Sequence, residues 1–264
     1  MIKDYFPNIK GLIIDMDGVL WRDSEPLGDL QAIFDRIVDL DYKFILATNN
    51  PTRTVGEYQK KLAGFNVEIE LDQIINSAQA TGIYLQEHYP KGVKVFVVGE
   101  AGLKTTLESY GVDVCDGDET GIEAVVASLD TQLTYEKLKR ASLLIQSGCE
   151  FIGTNADKTF PTPEGLIPGG GTVVGALEIA SGQSAKILGK PEPYLYEMAM
   201  KRLALAPEET LAIGDRLETD IVGGQAAGIH TALVLTGAST FSEAQDFNPP
   251  PEIIAKNLSE LILQ

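Results

Sequence analysis

The sequence predicts an α/β fold built on a parallel sheet, on three observations. Short apolar, β-rich runs alternate with stretches of helical periodicity. Several of those runs stop abruptly at polar residues, as strands do at the edge of an open sheet. The chain of 264 residues is 44% apolar and 22% charged, the make-up of a packed globular protein rather than a disordered one.

The elements follow in order. Gly11-Leu12-Ile13-Ile14 is a buried strand that stops at Asp15. Leu30, Ile33, Phe34, Ile37 and Val38 recur at helical spacing and make one amphipathic helix. Lys43 to Ala47 is the next strand, ending at Thr48-Asn49-Asn50-Pro51. Residues 52–63 read as a helix with Val55, Tyr58 and Leu62 on one side, and a strand–helix unit covers about 72–88. A strand from Val93 to Val98 opens the middle of the chain, with helices near 102–110 and 134–147 and strands near 122–128 and 150–154. After Lys186-Ile187-Leu188 come a helix following Pro193, a strand at Leu211-Ala212-Ile213, a helix after Glu218 and a strand from Thr231 to Leu235. No Ser/Gly-rich linker separates the middle from the ends. The expectation is an outer domain of residues 1–89 and 183–264 with a second α/β lobe, 90–182, inserted into it.

Charge narrows the partners. Lys+Arg number 21 and Asp+Glu 38, a net charge of −17, which repels phosphate backbones and anionic lipid. Nucleic acid and membrane surfaces are therefore poor partners, and no apolar run approaches the length of a membrane span. The opening residues carry no basic stretch followed by an apolar one, so no export is signalled. Cys115 and Cys149 are too few for a disulfide framework and suggest a reducing, cytoplasmic setting. His88 and His230 leave little room for a His-rich zinc site and read as structural or surface residues, with a place at the edge of the middle lobe as the alternative for His88.

Chemistry concentrates at the strand ends, where open α/β sheets bind ligands. Asp15 and Asp17 sit two residues apart just past the first strand, on one face unless the chain has already turned, and Gly18 permits a sharp exit. Thr48-Asn49-Asn50 offers a hydroxyl, amides and backbone N–H groups at the end of another strand. Gly189-Lys190-Pro191 places one lysine after a short apolar run, and Gly214-Asp215-Arg216-Leu217-Glu218-Thr219-Asp220 is a further strand ending in acids. Each alone fits an ordinary turn, helix start or surface lysine. Together they make one site. Asp15, Asp17, Asp215 and Asp220 are costly neighbours without a divalent cation, and hard oxygen donors suit Mg²⁺. Lys190 supplies a fixed positive charge. A carboxylate can accept a phosphoryl group, and a second can protonate the leaving oxygen and then activate water.

These four segments resemble, in order and over nearly the whole chain, the motifs of the haloacid dehalogenase superfamily. The likeness is to its NagD/4-nitrophenylphosphatase branch, for Thr154-Asn155-Ala156-Asp157, Pro161-Thr162 and Pro168-Gly169-Gly170-Gly171 resemble that branch's middle-domain signature. The resemblance implies a Rossmann-like, doubly wound parallel core with an inserted α/β cap. It implies Asp15 as nucleophile and Mg²⁺ ligand, and Asp17 as general acid/base that binds the metal through its carbonyl. Thr48 and the N–H of Asn49, with Asn50, would bind phosphoryl oxygens. Lys190 would neutralise nucleophile and phosphate, Asp215 would ligate Mg²⁺, and Asp220, favoured over Glu218, would hold a metal-bound water or Lys190. A Mg²⁺-dependent phosphatase of small phosphate monoesters is expected, with 4-nitrophenyl phosphate, phosphoglycolate, sugar phosphates, nucleoside monophosphates or pyridoxal phosphate as candidate substrates. A homodimer through the cap is also implied. The rival reading is a receiver-like phosphoacceptor, against which stand Asp17, whose acid/base role a slow switch does not need, and the chain's length.

Other signals are weaker. Val98-Gly99-Glu100-Ala101-Gly102 lacks the spacing of a dinucleotide fingerprint. Gly169-Gly170-Gly171 lacks a phosphate-loop lysine and reads as a tight turn. Asn155 and Asp157 end a strand, where they either face substrate or cap a turn. Trp21 either walls the acidic loop or packs.

Overall fold

A computed structural model describes residues 2–162 and 164–264. Met1, in the expected outer domain, and Pro163, in the expected middle lobe, lie outside the described residues. The chain divides into two compact units. The first comprises the residues up to Thr48, Val55–Ile75 and Lys190–Gln264; the second, Asn49–Thr54 and Asn76–Gly189. The helix Ser77–His88, read with the outer domain, packs in the second unit against Ala101–Ser109. Gly82 permits this, since a Cβ there would stand 2.5 Å from the Tyr110 ring.

In the first unit a six-stranded sheet runs Ile253–Ala255, His230–Val234, Thr210–Gly214, Gly11–Ile14, Lys43–Thr48, Ile74–Asn76. Counted along the chain within this sheet, the order is 3-2-1-4-5-6, the doubly wound arrangement. The four strands of Gly11–Ile14, Lys43–Thr48, Thr210–Gly214 and His230–Val234 pair in parallel and are apolar on both faces, as a sheet covered by helices requires. Strand order reverses at Gly11–Ile14, so its carboxyl end and that of Thr210–Gly214 flank the switch-point crevice.

The helix Leu30–Asp39 begins where Asp29 accepts the Ala32 N–H (3.0 Å) and buries Leu30, Ile33, Phe34 and Ile37. Val38, expected on that face, lies in the last turn and is 66% exposed. The helix expected after Glu218 starts earlier and in another form. Leu217–Ile221 is a π-helical turn, continued by the short α-helix Val222–Ala226. The wide turn folds the Asp220 carboxylate back onto the N–H groups of Asp215 (3.2 Å) and Arg216 (3.0 Å).

The second unit holds a five-stranded, all-parallel sheet in the order Lys186–Ile187, Glu150–Gly153, Ala124–Ala127, Lys94–Val98, Asp113–Cys115. A separate two-stranded antiparallel hairpin pairs Thr159–Thr162 with Gly165–Pro168. The glycine run read as a tight turn opens the helix Gly170–Ser181. Cβ atoms at Gly169 and Gly171 would strike the backbone of residues 156–159, so glycine lets the helix start lie against that stretch. Among the described residues no helix is long and apolar enough to cross a membrane.

Candidate active site

Within the first unit, Asp15, Asp215 and Asp220 are buried and offer carboxylate oxygens within 4.8 Å of one another. Sheet geometry accounts for two of them. Asp15 follows Gly11–Ile14, its N–H still bonded to the Ile213 carbonyl (2.8 Å), and Asp215 follows the neighbouring Thr210–Gly214. Asp220 joins them through the π-turn. Gly214 makes room for it, because a Cβ there would overlap the Asp220 side chain. Glu218, the alternative acid, is exposed.

Lys190 is 1% exposed and donates to Asp15 Oδ1 (2.6 Å) and Asp220 Oδ1 (2.7 Å). Burial pulls its ammonium down, but the two carboxylates outweigh that and hold it well above the ordinary lysine range. Burial likewise pushes Asp15 well up against the pull of Lys190, with Asp220 and Asp215 adding to the rise. Burial and Asp220 push Asp215 up to about 7. With all three carboxylates ionised against the Lys190 ammonium, the buried cluster would carry two negative charges, a deficit that a divalent cation offsets.

The donor set fits such a cation on a second count. Asp215 Oδ2 accepts the Ala238 N–H (2.6 Å), whereas Asp215 Oδ1 is buried with no hydrogen-bond partner among the described residues. A buried, unsatisfied carboxylate oxygen is costly unless something electropositive meets it. Asp15 and Asp215 can hold a hard cation directly, with Asp220 at the same cluster.

The chain has turned by Asp17. Its carboxylate is absent from the buried cluster; instead Asp17 Oδ1 accepts the Trp21 indole N–H (2.8 Å). Trp21 is fully buried, stacked near Tyr58 and under the Lys61 ammonium, so it packs and also orients Asp17. Gly18 adopts φ +90°, and a Cβ there would stand 2.7 Å from the Asp215 carboxylate.

Thr48 ends the Lys43–Thr48 strand, beside Gly11–Ile14, and is 2% exposed. Asn49 and Asn50 are grouped with the second unit. Asn50 Oδ1 accepts from the Thr52 N–H (3.1 Å) and hydroxyl (2.6 Å), a local turn. Asn49 is held by Ser77, Asn155 and Asp157. Asn155 Oδ1 does cap its turn by accepting the Asp157 N–H (3.1 Å), but that is not its only bond. His88 bonds the Tyr84 carbonyl and stacks on the Tyr84 ring, while His230 pairs with Glu252. Burial pushes the Cys115 thiol up, away from reactivity.

The chain is similar to known proteins over nearly its whole length. The sequence pattern of haloacid dehalogenase-like hydrolases matches residues 12–113, and a second, HAD-hydrolase-like pattern matches residues 187–261. An acid sugar phosphatase of Staphylococcus aureus is 34% identical over 255 residues, covering 97% of each chain. The chain belongs to the haloacid dehalogenase-like hydrolases. Within them it falls in the NagD and 4-nitrophenylphosphatase branch. The 4-nitrophenylphosphatase of Thermotoga maritima superposes with TM-score 0.91 at 30% identity, over 98% of both chains. A glycerol phosphate phosphatase of Mycobacterium tuberculosis, solved in complex with magnesium, superposes with TM-score 0.88 at 30% identity, over 97% of this chain and 77% of that one.

Two parts of this haloacid dehalogenase-like site were not read from sequence. The segment after His230–Val234 wraps Asp215: the Ala238 N–H meets its carboxylate, the Ser239 N–H its carbonyl (3.1 Å), and a Cβ at Gly237 would overlap its side chain. Thr236, in the same segment, donates to the Gly18 carbonyl (2.6 Å). Tyr196 is buried, donates to the Asp220 carbonyl (3.1 Å) and sits 6.0 Å from the Lys190 ammonium. The first had a signal: Thr236-Gly237-Ala238-Ser239 ends a strand read correctly, beside the strand that carries Asp215.

Proposed function

We propose that this chain is a Mg²⁺-dependent phosphatase that moves the phosphoryl group of a small phosphate monoester to Asp15 and then to water. The observation that carries the reading is the buried cluster of Asp15, Asp215 and Asp220, with the Lys190 ammonium bonded to Asp15 and Asp220. The relatives named for acid sugar, 4-nitrophenyl and glycerol phosphates support small esters as substrates, and the magnesium complex of one of them supports the metal.

Asp15 Oδ1 is held by Lys190, which leaves the other carboxylate oxygen as the nucleophile. Thr48, with the N–H groups of Asn49 and Asn50 that follow it, receives the phosphoryl oxygens. Asp17, fixed by the Trp21 indole, gives a proton to the leaving oxygen and then takes one from the attacking water. Lys190 remains protonated throughout and balances charge on Asp15 and the transferred group. Asp215, Asp15 and the Asp17 carbonyl would hold Mg²⁺, which when bound supplies positive charge to the phosphoryl oxygens as they pass between donors. A kcat/KM screen of sugar, glycerol, glycolate, nucleoside and pyridoxal phosphates with Mg²⁺ tests the reading; no hydrolysis of any ester would dispose of it.

Two variants separate the roles. Asp17→Asn is expected to slow breakdown of the phosphoenzyme by roughly 100-fold or more, while its formation from 4-nitrophenyl phosphate, whose leaving group needs little protonation, falls much less. Rapid-quench measurement of the two steps decides, and equal slowing contradicts the role. Gly237→Ala is expected to displace the Asp215 carboxylate and raise the Mg²⁺ concentration for half-maximal activity by about tenfold or more. An unchanged Mg²⁺ dependence contradicts it.

A further inference from the structure

Asn49 is gripped more firmly than a turn residue needs. Its carbonyl oxygen accepts two side-chain hydrogen bonds, from Ser77 Oγ (2.7 Å) and Asn155 Nδ2 (2.9 Å). Its own amide Nδ2 donates to Asp157 Oδ2 (3.1 Å). Gly189 closes on it, since a Cβ there would stand 2.6 Å from Asn49 Oδ1. Asn155 is 3% exposed, and its Oδ1 takes the Asp157 N–H, so Asn155 and Asp157 form one rigid turn.

The peptide bond is planar and trans, so the Asn49 carbonyl and the Asn50 N–H lie in one plane and point opposite ways. Two donors on that carbonyl therefore aim the Asn50 N–H. The bond from the Asn49 side chain to Asp157 fixes the residue between the two peptide planes, and with it the Asn49 N–H. Capping the turn at 155–157 requires only the Asp157 N–H bond to Asn155. The bonds to Asn49 go beyond it.

We propose that Asp157 and Asn155 are positioning residues for phosphoryl transfer: they orient the backbone N–H groups of Asn49 and Asn50 through the side chain and carbonyl of Asn49. The proposal rests on the reading above, in which those N–H groups bind the phosphoryl oxygens. Asp157 acts as a hydrogen-bond acceptor for Asn49, not as a charge toward substrate or metal.

The test is a double-mutant cycle on the full chain with Mg²⁺, using 4-nitrophenyl phosphate turnover and inhibition by inorganic phosphate. Asp157→Ala is expected to lower kcat/KM by about tenfold or more and to weaken phosphate inhibition. Asp157→Asn, whose amide oxygen can still accept from Asn49, is expected to stay within about threefold of the parent. In an Asn49→Ala background, which keeps the backbone N–H but has no amide to hold, Asp157→Ala is expected to cost little more. The proposal is overturned if Asp157→Asn is as impaired as Asp157→Ala, if Asp157→Ala costs the same in both backgrounds, or if it costs nothing. Thermal melts accompany each variant; should Asp157→Ala not fold, Asp157→Ser, too short to reach Asn49, takes its place. An inactive parent enzyme, or Asp15→Asn with retained turnover, removes the phosphatase reading and this proposal with it. An active parent, a dead Asp15→Asn and an additive cycle remove only the positioning role.

Discussion

Asp15→Asn is expected to lower turnover of 4-nitrophenyl phosphate by about four orders of magnitude or more while the protein stays folded. The amide has the same shape and can still accept from Lys190, but its oxygen is too weak a nucleophile to displace an ester oxygen from phosphorus. Stability moves the other way. Burial, opposed by Lys190, pushes Asp15 well above the usual carboxylate range, with Asp220 and Asp215 adding to the rise. An ionised Asp15 is therefore a burden on the metal-free fold, and its neutral replacement melts at or above the parent temperature in chelator. Calorimetry and turnover on the same preparation check both halves. Substantial hydrolysis by the variant removes the nucleophile assignment, and a large drop in melting temperature shows that the lost activity reports unfolding.

Removal of divalent cation abolishes activity and destabilises the protein, and the stability effect depends on pH. Asp215 is pushed up to about 7 by burial first and Asp220 second. Its folded-state value lies above its unfolded value, so between roughly pH 4 and pH 7 the folded, metal-free protein binds more protons than the unfolded chain, and its stability falls as pH rises. The penalty is absent below that window and complete above it. A bound cation needs the carboxylates ionised and removes the penalty. The rise in melting temperature on replacing chelator with saturating Mg²⁺ is therefore larger at about pH 7.5 than at about pH 5. A rise that is flat with pH, or larger in acid, contradicts a cation at Asp215.

Much of the candidate site is legible in the sequence because its residues stand at strand ends. Gly11–Ile14 and Thr210–Gly214 announce themselves by unbroken apolar runs, and Asp15 and Asp215 come next in the chain. Side-chain direction beyond the strand was not legible. Spacing left two outcomes for Asp17, beside Asp15 or turned away; the chain turns, and the Trp21 indole takes the Asp17 carboxylate, a partner no periodicity indicates. Asp220 reaches the cluster from Leu217–Ile221, which winds as a π-turn where a helix after Glu218 was expected. The helix Gly170–Ser181 was hidden by three glycines that disfavour helix on propensity, and tertiary contact with residues 156–159 overrides that preference. The hold of Asn155 and Asp157 on Asn49 joins residues about a hundred apart in the chain, and nothing in one sequence reports such a pairing.

The central claim is that the phosphoryl group passes through Asp15. Acid quenching of the enzyme milliseconds after mixing with Mg²⁺ and 4-nitrophenyl phosphate, followed by mass spectrometry of its peptides, tests that directly. The account predicts one phosphoryl group on the peptide that contains Asp15, formed with the first release of 4-nitrophenol and gone once substrate is exhausted. Turnover that proceeds with that peptide unmodified, or with the phosphoryl group on another residue, contradicts it.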